Sequence, residues 1–263
     1  MIPSFSIIII SYNGKDFLRK CLEVLKQSSV QPEKIIVVDD HSSDGTGEMV
    51  RKEFSQVEYI FNEKNLGPVA ARNRGAKLAT GEYIVFIDND ILVRRDSIER
   101  LLSFLSKTKD AGLVAGKLII EEGKTMWWNM GHRPNILRQA LGKIIGFFII
   151  NFFPDSKRLK KFSMLFSLNY WDYDKTMPVD WVIEGFNAVR RDIFEKTNGF
   201  DEDYFMFFEG PDLSARLRKA GYETYFVHDS VADNLGGHTH TPKKRQKWFY
   251  KSMARYYKKH YFR

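Results

Sequence analysis

Cysteine is nearly absent from this chain: Cys21 is the only one in 263 residues. That excludes an internal disulfide framework and any thiolate metal cluster. Long apolar runs are missing too. The longest, "IIGFFIINFF" (Ile144 to Phe153), is too short to span a bilayer. The amino terminus passes directly into "SFSIIII" without a basic leader or small-residue cleavage pattern, so no signal peptide is expected. Acidic residues are outnumbered, 33 Asp and Glu against 41 Lys and Arg, and the formal net charge of +8 favours an anionic partner such as a nucleotide or phospholipid surface. No internal repeat, low-complexity tract or linker marks a second domain. With 43% hydrophobic and 28% charged residues, the chain reads as one globular α/β domain with room for an insertion. These features point to a cytoplasmic protein able to touch a membrane.

The first third alternates two kinds of segment. "FSIIIIS" (Phe5 to Ser11) and "KIIVVDD" (Lys34 to Asp40) are apolar on both faces, as strands covered on two sides must be. "VEYIF", "YIVFID" and "GLVAGKLII" (Gly112 to Ile120) continue the series. Between them, "KDFLRKCLEVLKQS" places Phe17, Leu18, Cys21, Leu22 and Leu25 at helical spacing, and "SDGTGEMVRKEF" and "GPVAARNRGAKLA" are also helical. Strands joined through helices form a mainly parallel sheet with helices on both faces. Ligands then sit beyond the carboxyl ends of the strands. That rule puts Ser11, Tyr12 and Asn13, Asp39 and Asp40, and Asp88, Asn89 and Asp90 on one rim.

Each rim cluster has an ordinary reading as well. Asp88 and Asp90 supply the two oxygens that a hard cation needs when it also takes diphosphate oxygens and water, whereas an Asp-rich turn capping the next helix would use the same residues. Asp39 and Asp40 suit a base N–H or a ribose hydroxyl. A cap of the following helix needs only Ser43 or Asp44. Arg72 is placed to reach a nucleotide, though helix arginines are most often ion-paired at the surface. Downstream, Pro211 suits the first helical position, which leaves Glu209 on the loop outside "DLSARLRKAG" and Asp212 in the first turn, four residues from Arg216. Glu209 follows "YFMFF", and an aromatic wall would raise its pKa toward general-base use. His238, in "HDSVADNLGGHTH", is a candidate third metal ligand. The apolar run beside "KRLKK" is either a membrane-interface segment or a buried helix. The basic, aromatic tail carries no nucleic-acid-reading motif, so no nucleic acid is expected and a phosphate-rich lipid fits its charge.

Taken in order, "SIIIISYNG", "IIVVDDHSSDGT", "NLGPVAARNRGAKLATGEYIVFIDND", "VDWVIEGFNAVRRDIFEKTNGFDEDYFMFFEGPDLSARLRKAGY" and "WFYKSMARYYKKHY" resemble the family 2 glycosyltransferases of GT-A fold, of rhamnosyltransferase or polysaccharide-biosynthesis type. The resemblance spans most of the chain except about 121–178. It implies one domain: a nucleotide-sugar half (1–120), a variable insertion (121–178), and an acceptor and catalytic half with a carboxyl-terminal helix (179–263). It also implies inverting, metal-dependent transfer from a UDP-, dTDP- or GDP-linked sugar to a glycan or lipid-linked acceptor. Ser11, Tyr12, Asn13, Asp39, Asp40, Arg72, Asp88 and Asn89 would bind the donor. Asp88, Asp90 and His238 would hold Mn²⁺ or Mg²⁺, and Glu209 or else Asp212 would be the base. Two departures stand out: Glu209-Gly210 replaces an acidic pair, and Asn234 stands where a His is common. Trp127, Trp128, His132 and Glu184 are the acceptor-side candidates. Rival readings are a nucleotidyltransferase and a non-catalytic glycan- or membrane-binding relative.

Overall fold

The computed structural model describes residues 2–120, 123–126, 129–152, 156, 159, 173–236 and 241–262. Strands β1 (Phe5–Ser11), β2 (Lys34–Asp39), β3 (Glu58–Phe61) and β4 (Tyr83–Asp88) run parallel, in the order β3-β2-β1-β4. Short β5 (Ile91–Val93) follows at once, and β6 (Ala111–Ile119) later extends the sheet. The two-sided apolar strands explain the layering. Ile7, Ile9, Val37, Val85 and Ile87 face one core, while Ile8, Ile36, Val38, Ile84 and Phe86 face the other. Alternation by two along each strand requires exactly that split only if both faces are covered, and both are.

Helices α1 (Lys15–Leu25), α2 (Thr46–Glu53) and α4 (Ser97–Lys107) cover the first core with Leu18, Leu22, Met49, Val50, Leu101 and Leu105. Helix α3 (Pro68–Ala76) covers the second with Val69 and Ala71. Because β1 lies between β2 and β4, the chain reverses its direction of travel across the sheet there, and the crevice at the ends of β1, β2 and β4 is the topological switch point.

The second half follows with β7 (Met130–Gly131), helix α5 (Ile136–Phe152), β8 (Met177–Val179), β9 (Trp181–Val182) and β10 (Phe186–Arg190). Then come helix α6 (Arg191–Lys196), helix α7 (Glu209–Lys219), β11 (Glu223–Asn234) and helix α8 (Pro242–Tyr261). Strand β10 inserts antiparallel between β4 and β6. Its direction matters for the site: a reversed strand begins at the rim where its neighbours end. Phe186 pairs with Ile87, and the Asp88 N–H donates to the Gly185 carbonyl at 2.9 Å. Residues 184 and 185 therefore join the rim.

Helix α5 contains most of the apolar run, and it is not core. Leu137, Leu141, Ile144, Phe148 and Phe152, three or four residues apart, are all exposed, as is Phe147; among the described apolar side chains of α5 only Ile149 is buried. No described helix is long and apolar enough to cross a membrane.

Candidate active site

The loops after β1 and β2 are fastened to one another before any ligand is considered. Asn13 adopts a left-handed φ of 49° and its Oδ1 accepts from the Ser43 N–H at 2.8 Å, while its own N–H donates to Ser42 Oγ at 2.8 Å. Asn89 donates from Nδ2 to Ser11 Oγ at 3.1 Å, tying the end of β4 to that of β1. Gly14 makes this tie possible, since a Cβ there would lie 2.1 Å from Asn89 Nδ2.

The two aspartates after β2 are similarly engaged. Asp39 accepts from the Ser42 N–H at 2.8 Å and from the Tyr59 hydroxyl at 2.6 Å. Asp40 accepts from Asn62 Nδ2, the Leu66 N–H and the Gly67 N–H at 2.8–2.9 Å, which shapes the loop that starts α3. Satisfied in this way, both carboxylates are buried at little cost. Asp40 lines the central cavity, and Asp39 does not.

Arg72, on α3, is buried rather than solvated. Its Nη2 donates to Asp88 Oδ1 at 2.7 Å and its Nη1 lies 3.7 Å from Glu209 Oε1. Burial would lower its pKa, but the charges of Asp88, Glu184 and Glu209 more than reverse that, and the guanidinium stays charged. Glu184 and Glu209 are 8% and 5% exposed. Burial, then the neighbouring Glu209 charge, pushes the Glu184 carboxyl well above the usual range; burial raises Glu209 as well, against the pull of Arg72. Two buried atoms here lack any hydrogen-bond partner, Arg72 Nη1 and Glu209 Oε2. Native interiors seldom leave such atoms unpaired except where something else binds.

These residues share one cavity of about 980 Å³. Tyr12, Asp40, Arg72, Asp88, Asp90, Glu184 and Glu209 line it, with Phe207, Phe208 and Phe249 as an apolar wall. A smaller cavity of about 510 Å³ opens beside α4, between Asp96, Arg100 and His228, and includes none of the rim residues.

The structure corrects several sequence-based expectations. Helix α7 starts at Glu209, not at Pro211, because Phe207 and Phe208 both take left-handed φ values (69° and 64°) and turn the chain sharply into the helix. Pro211 then sits in the first turn, where a missing N–H is harmless. Asp212 is not in the cavity. It is fully buried and bound by His260 Nε2 at 2.8 Å, Lys259 Nζ at 2.7 Å and Arg216 Nε at 2.8 Å, so it has no capacity left for a substrate proton. Asn13 and His132 also lie outside the cavity lining; the His132 carbonyl accepts from Trp181 Nε1 at 2.8 Å instead. Trp127, Trp128 and His238 fall outside the described residues.

Among the described residues no group of three or more His, Cys, Asp or Glu assembles a metal site by itself. Asp88 and Asp90 do face the same cavity, together with Asn234. Arg245, Phe249 and Trp181 line it too, and no sequence signal had singled them out. The aromatic and basic repeats of the tail were legible only as a general charge.

The chain is similar to known proteins in sequence and in fold. Residues 6–166 match the profile of "Glycosyl transferase family 2". The chain is 25% identical over 233 residues to an N-acetylglucosaminyl-diphospho-decaprenol L-rhamnosyltransferase of Mycobacterium tuberculosis, covering 84% of this chain and 72% of that one. It is 27% identical over 260 residues to the rhamnosyltransferase WbbL of Escherichia coli, covering 95% and 91%. In fold it is similar to GalNAc-T7 solved with UDP, GalNAc and Mn²⁺, with a TM-score of 0.62–0.66 across this and a Staphylococcus aureus TarS structure. For GalNAc-T7 the identity is 16%, and the match covers 98% of this chain but only 48% of that one. The chain thus spans about half the length of that structure.

Proposed function

The chain belongs to glycosyl transferase family 2 and has the GT-A fold, and from that premise we propose that it is an inverting, divalent-metal-dependent transferase. On this reading it moves a hexose or deoxyhexose from a UDP-, dTDP- or GDP-linked donor to a glycan or lipid-linked acceptor in cell-surface polysaccharide synthesis. The relatives named as rhamnosyltransferases support the deoxyhexose and the lipid-linked acceptor. The observation that carries the proposal is Glu209: a buried carboxylate with one oxygen unpartnered, in the same cavity as Asp88 and Asp90.

Glu209 Oε2 accepts the proton of the acceptor hydroxyl as that oxygen attacks the anomeric carbon. The bond from that carbon to the diphosphate breaks on the opposite face, which inverts the centre, and the electron pair leaves with the diphosphate. Burial raises the proton affinity of Glu209, as a base requires, and the Arg72 charge opposes that rise. Tyr12 and Asp40 border the space for the nucleoside, and Asn89 and Ser11 hold the rim in register.

The donor set also suits a hard cation. Asp88 accepts from Arg72 through Oδ1, and Asp88 and Asp90 line the same cavity. Mg²⁺ or Mn²⁺ held by Asp88 and Asp90 with the donor's diphosphate oxygens would offset charge on the leaving group. The apolar stripe of α5 and the basic α8 support peripheral contact with the inner face of a membrane.

Glu209→Gln tests the assignment. It preserves shape while removing proton acceptance, so donor affinity is expected to hold while transfer falls by about 10²-fold or more. Transfer at the parent rate would remove Glu209 from the mechanism. Such a result would also reopen the nucleotidyltransferase reading, which has no use for this glutamate.

A further inference from the structure

The structure has no room for a side chain at Gly210. A Cβ there would lie 1.8 Å from Glu184 Oε1 and 2.4 Å from the Val182 carbonyl oxygen. The 182–184 segment therefore rests directly on the first turn of α7, and the Glu184 carboxylate occupies the volume that a side chain at 210 would fill. A carboxylate from just ahead of the reversed strand β10 thus stands against the first turn of the helix that carries Glu209.

We propose that Glu184 is a second carboxylate of the acceptor subsite, seated there by Gly210, and that with Glu209 it selects a sugar hydroxyl flanked by another hydroxyl and rejects a phosphate oxygen as the attacking group. The proposal rests on the transferase reading above and goes further by naming the acceptor's chemistry.

Three observations carry it. Both carboxylates line one cavity and both are more than nine-tenths buried, so whatever enters must satisfy them. Arg72 already bonds Asp88 and lies 3.7 Å from Glu209, and the Glu184 charge acts on it as well, so it is not free to neutralise Glu184 alone. A carboxylate accepts from a hydroxyl and a protonated carboxyl can also donate to one, so a hydroxyl completes Glu184 in either form. Vicinal hydroxyls of a pyranose provide two groups: one loses its proton to Glu209, and the next hydrogen-bonds Glu184. A lipid monophosphate attacking there would bring its negative charge directly against buried Glu209, and like charges in a low-dielectric site repel strongly.

The test uses the full chain with whichever UDP-, dTDP- or GDP-sugar it binds, and reads nucleoside diphosphate release. The acceptor probes are octyl glycosides of glucose, galactose and N-acetylglucosamine on one side and farnesyl phosphate on the other. The parent is expected to glycosylate at least one octyl glycoside and not farnesyl phosphate. Glu184→Gln should raise the glycoside KM by about tenfold or more, as expected when a buried hydrogen-bonding carboxyl at the acceptor is replaced by an amide, with donor affinity kept. Gly210→Ala, which crowds the same seat, should raise that KM too. The double variant should then cost less than the two singles added, because both changes disturb one contact.

Retained donor binding shows that each variant is folded. Glycosylation of farnesyl phosphate, failure with every glycoside, or an unchanged KM in Glu184→Gln would overturn the assignment. None of these depends on the Glu209→Gln result, which alone decides the base.

Discussion

Glu209 and Asp212 stand three residues apart on α7 and have opposite surroundings. One oxygen of Glu209 is left unpartnered in a cavity; every capacity of Asp212 is spent on His260, Lys259 and Arg216. Burial alone would raise the Asp212 pKa, but the His260 hydrogen bond and the charges of Arg216 and Lys259 overcome it and hold the carboxyl well below the usual range. A depressed folded pKa means that this stabilisation is fully present above the unfolded value of about 3.9 and is lost as pH falls from there toward the folded value. Asp212→Ala is therefore expected to cost about 3 kcal/mol, because it removes a fully buried carboxylate and leaves Arg216 Nε and His260 Nε2 without that acceptor. A lowered Tm at neutral pH checks it, and an unchanged Tm would show that the cluster holds nothing. The Arg216 half of this cluster was legible from four-residue spacing. The α8 half was not, since His260 is 48 residues away and only packing relates them. Asp39 and Asp40 show the same limit. Their position at a strand end was readable, but their service to Tyr59 and to the 62–67 loop depends on neighbours no local pattern identifies.

At the scale of elements, the alternating strands and helices of the first 120 residues were readable because two-sided burial writes itself into continuous apolar runs. The direction of β10 was not. Strand propensity carries no arrow, yet the reversed strand is what brings Glu184 to the rim. For α5, length and apolarity left two readings open, and the exposure of Leu137 (74%), Phe147 (62%) and Phe152 (65%) favours the interfacial one. Such a helix binds through buried apolar area and nearby basic charge. Helix α8 carries eight Lys and Arg and no acidic residue, and its end meets the start of α5, where the Tyr261 hydroxyl donates to the Pro134 carbonyl at 2.6 Å. The chain is expected to sediment with anionic vesicles, and Phe148→Asp with Phe152→Asp should reduce the bound fraction several-fold. A parent protein that stays in the supernatant would show the stripe serves something other than a bilayer.

Across the whole molecule, the sheet acts as a frame that aims unlike segments at one place. Parallel strands deliver Ser11, Asp40 and Asp88, the reversed strand delivers Glu184, and α7 and α8 close the space with Glu209 and Phe249. The acidic residues were individually visible in the sequence, whereas their common cavity and the burial of Arg72 belong to the fold. The central claim is that this cavity grips a nucleotide-diphosphate sugar through Asp88 and Asp90 with a divalent ion. Calorimetric titration of UDP-, dTDP- and GDP-sugars, with and without Mn²⁺, tests it most directly. One donor class is expected to bind only with the ion present and to lose that binding in Asp90→Asn. Donor binding unaffected by both ion removal and that substitution would contradict it.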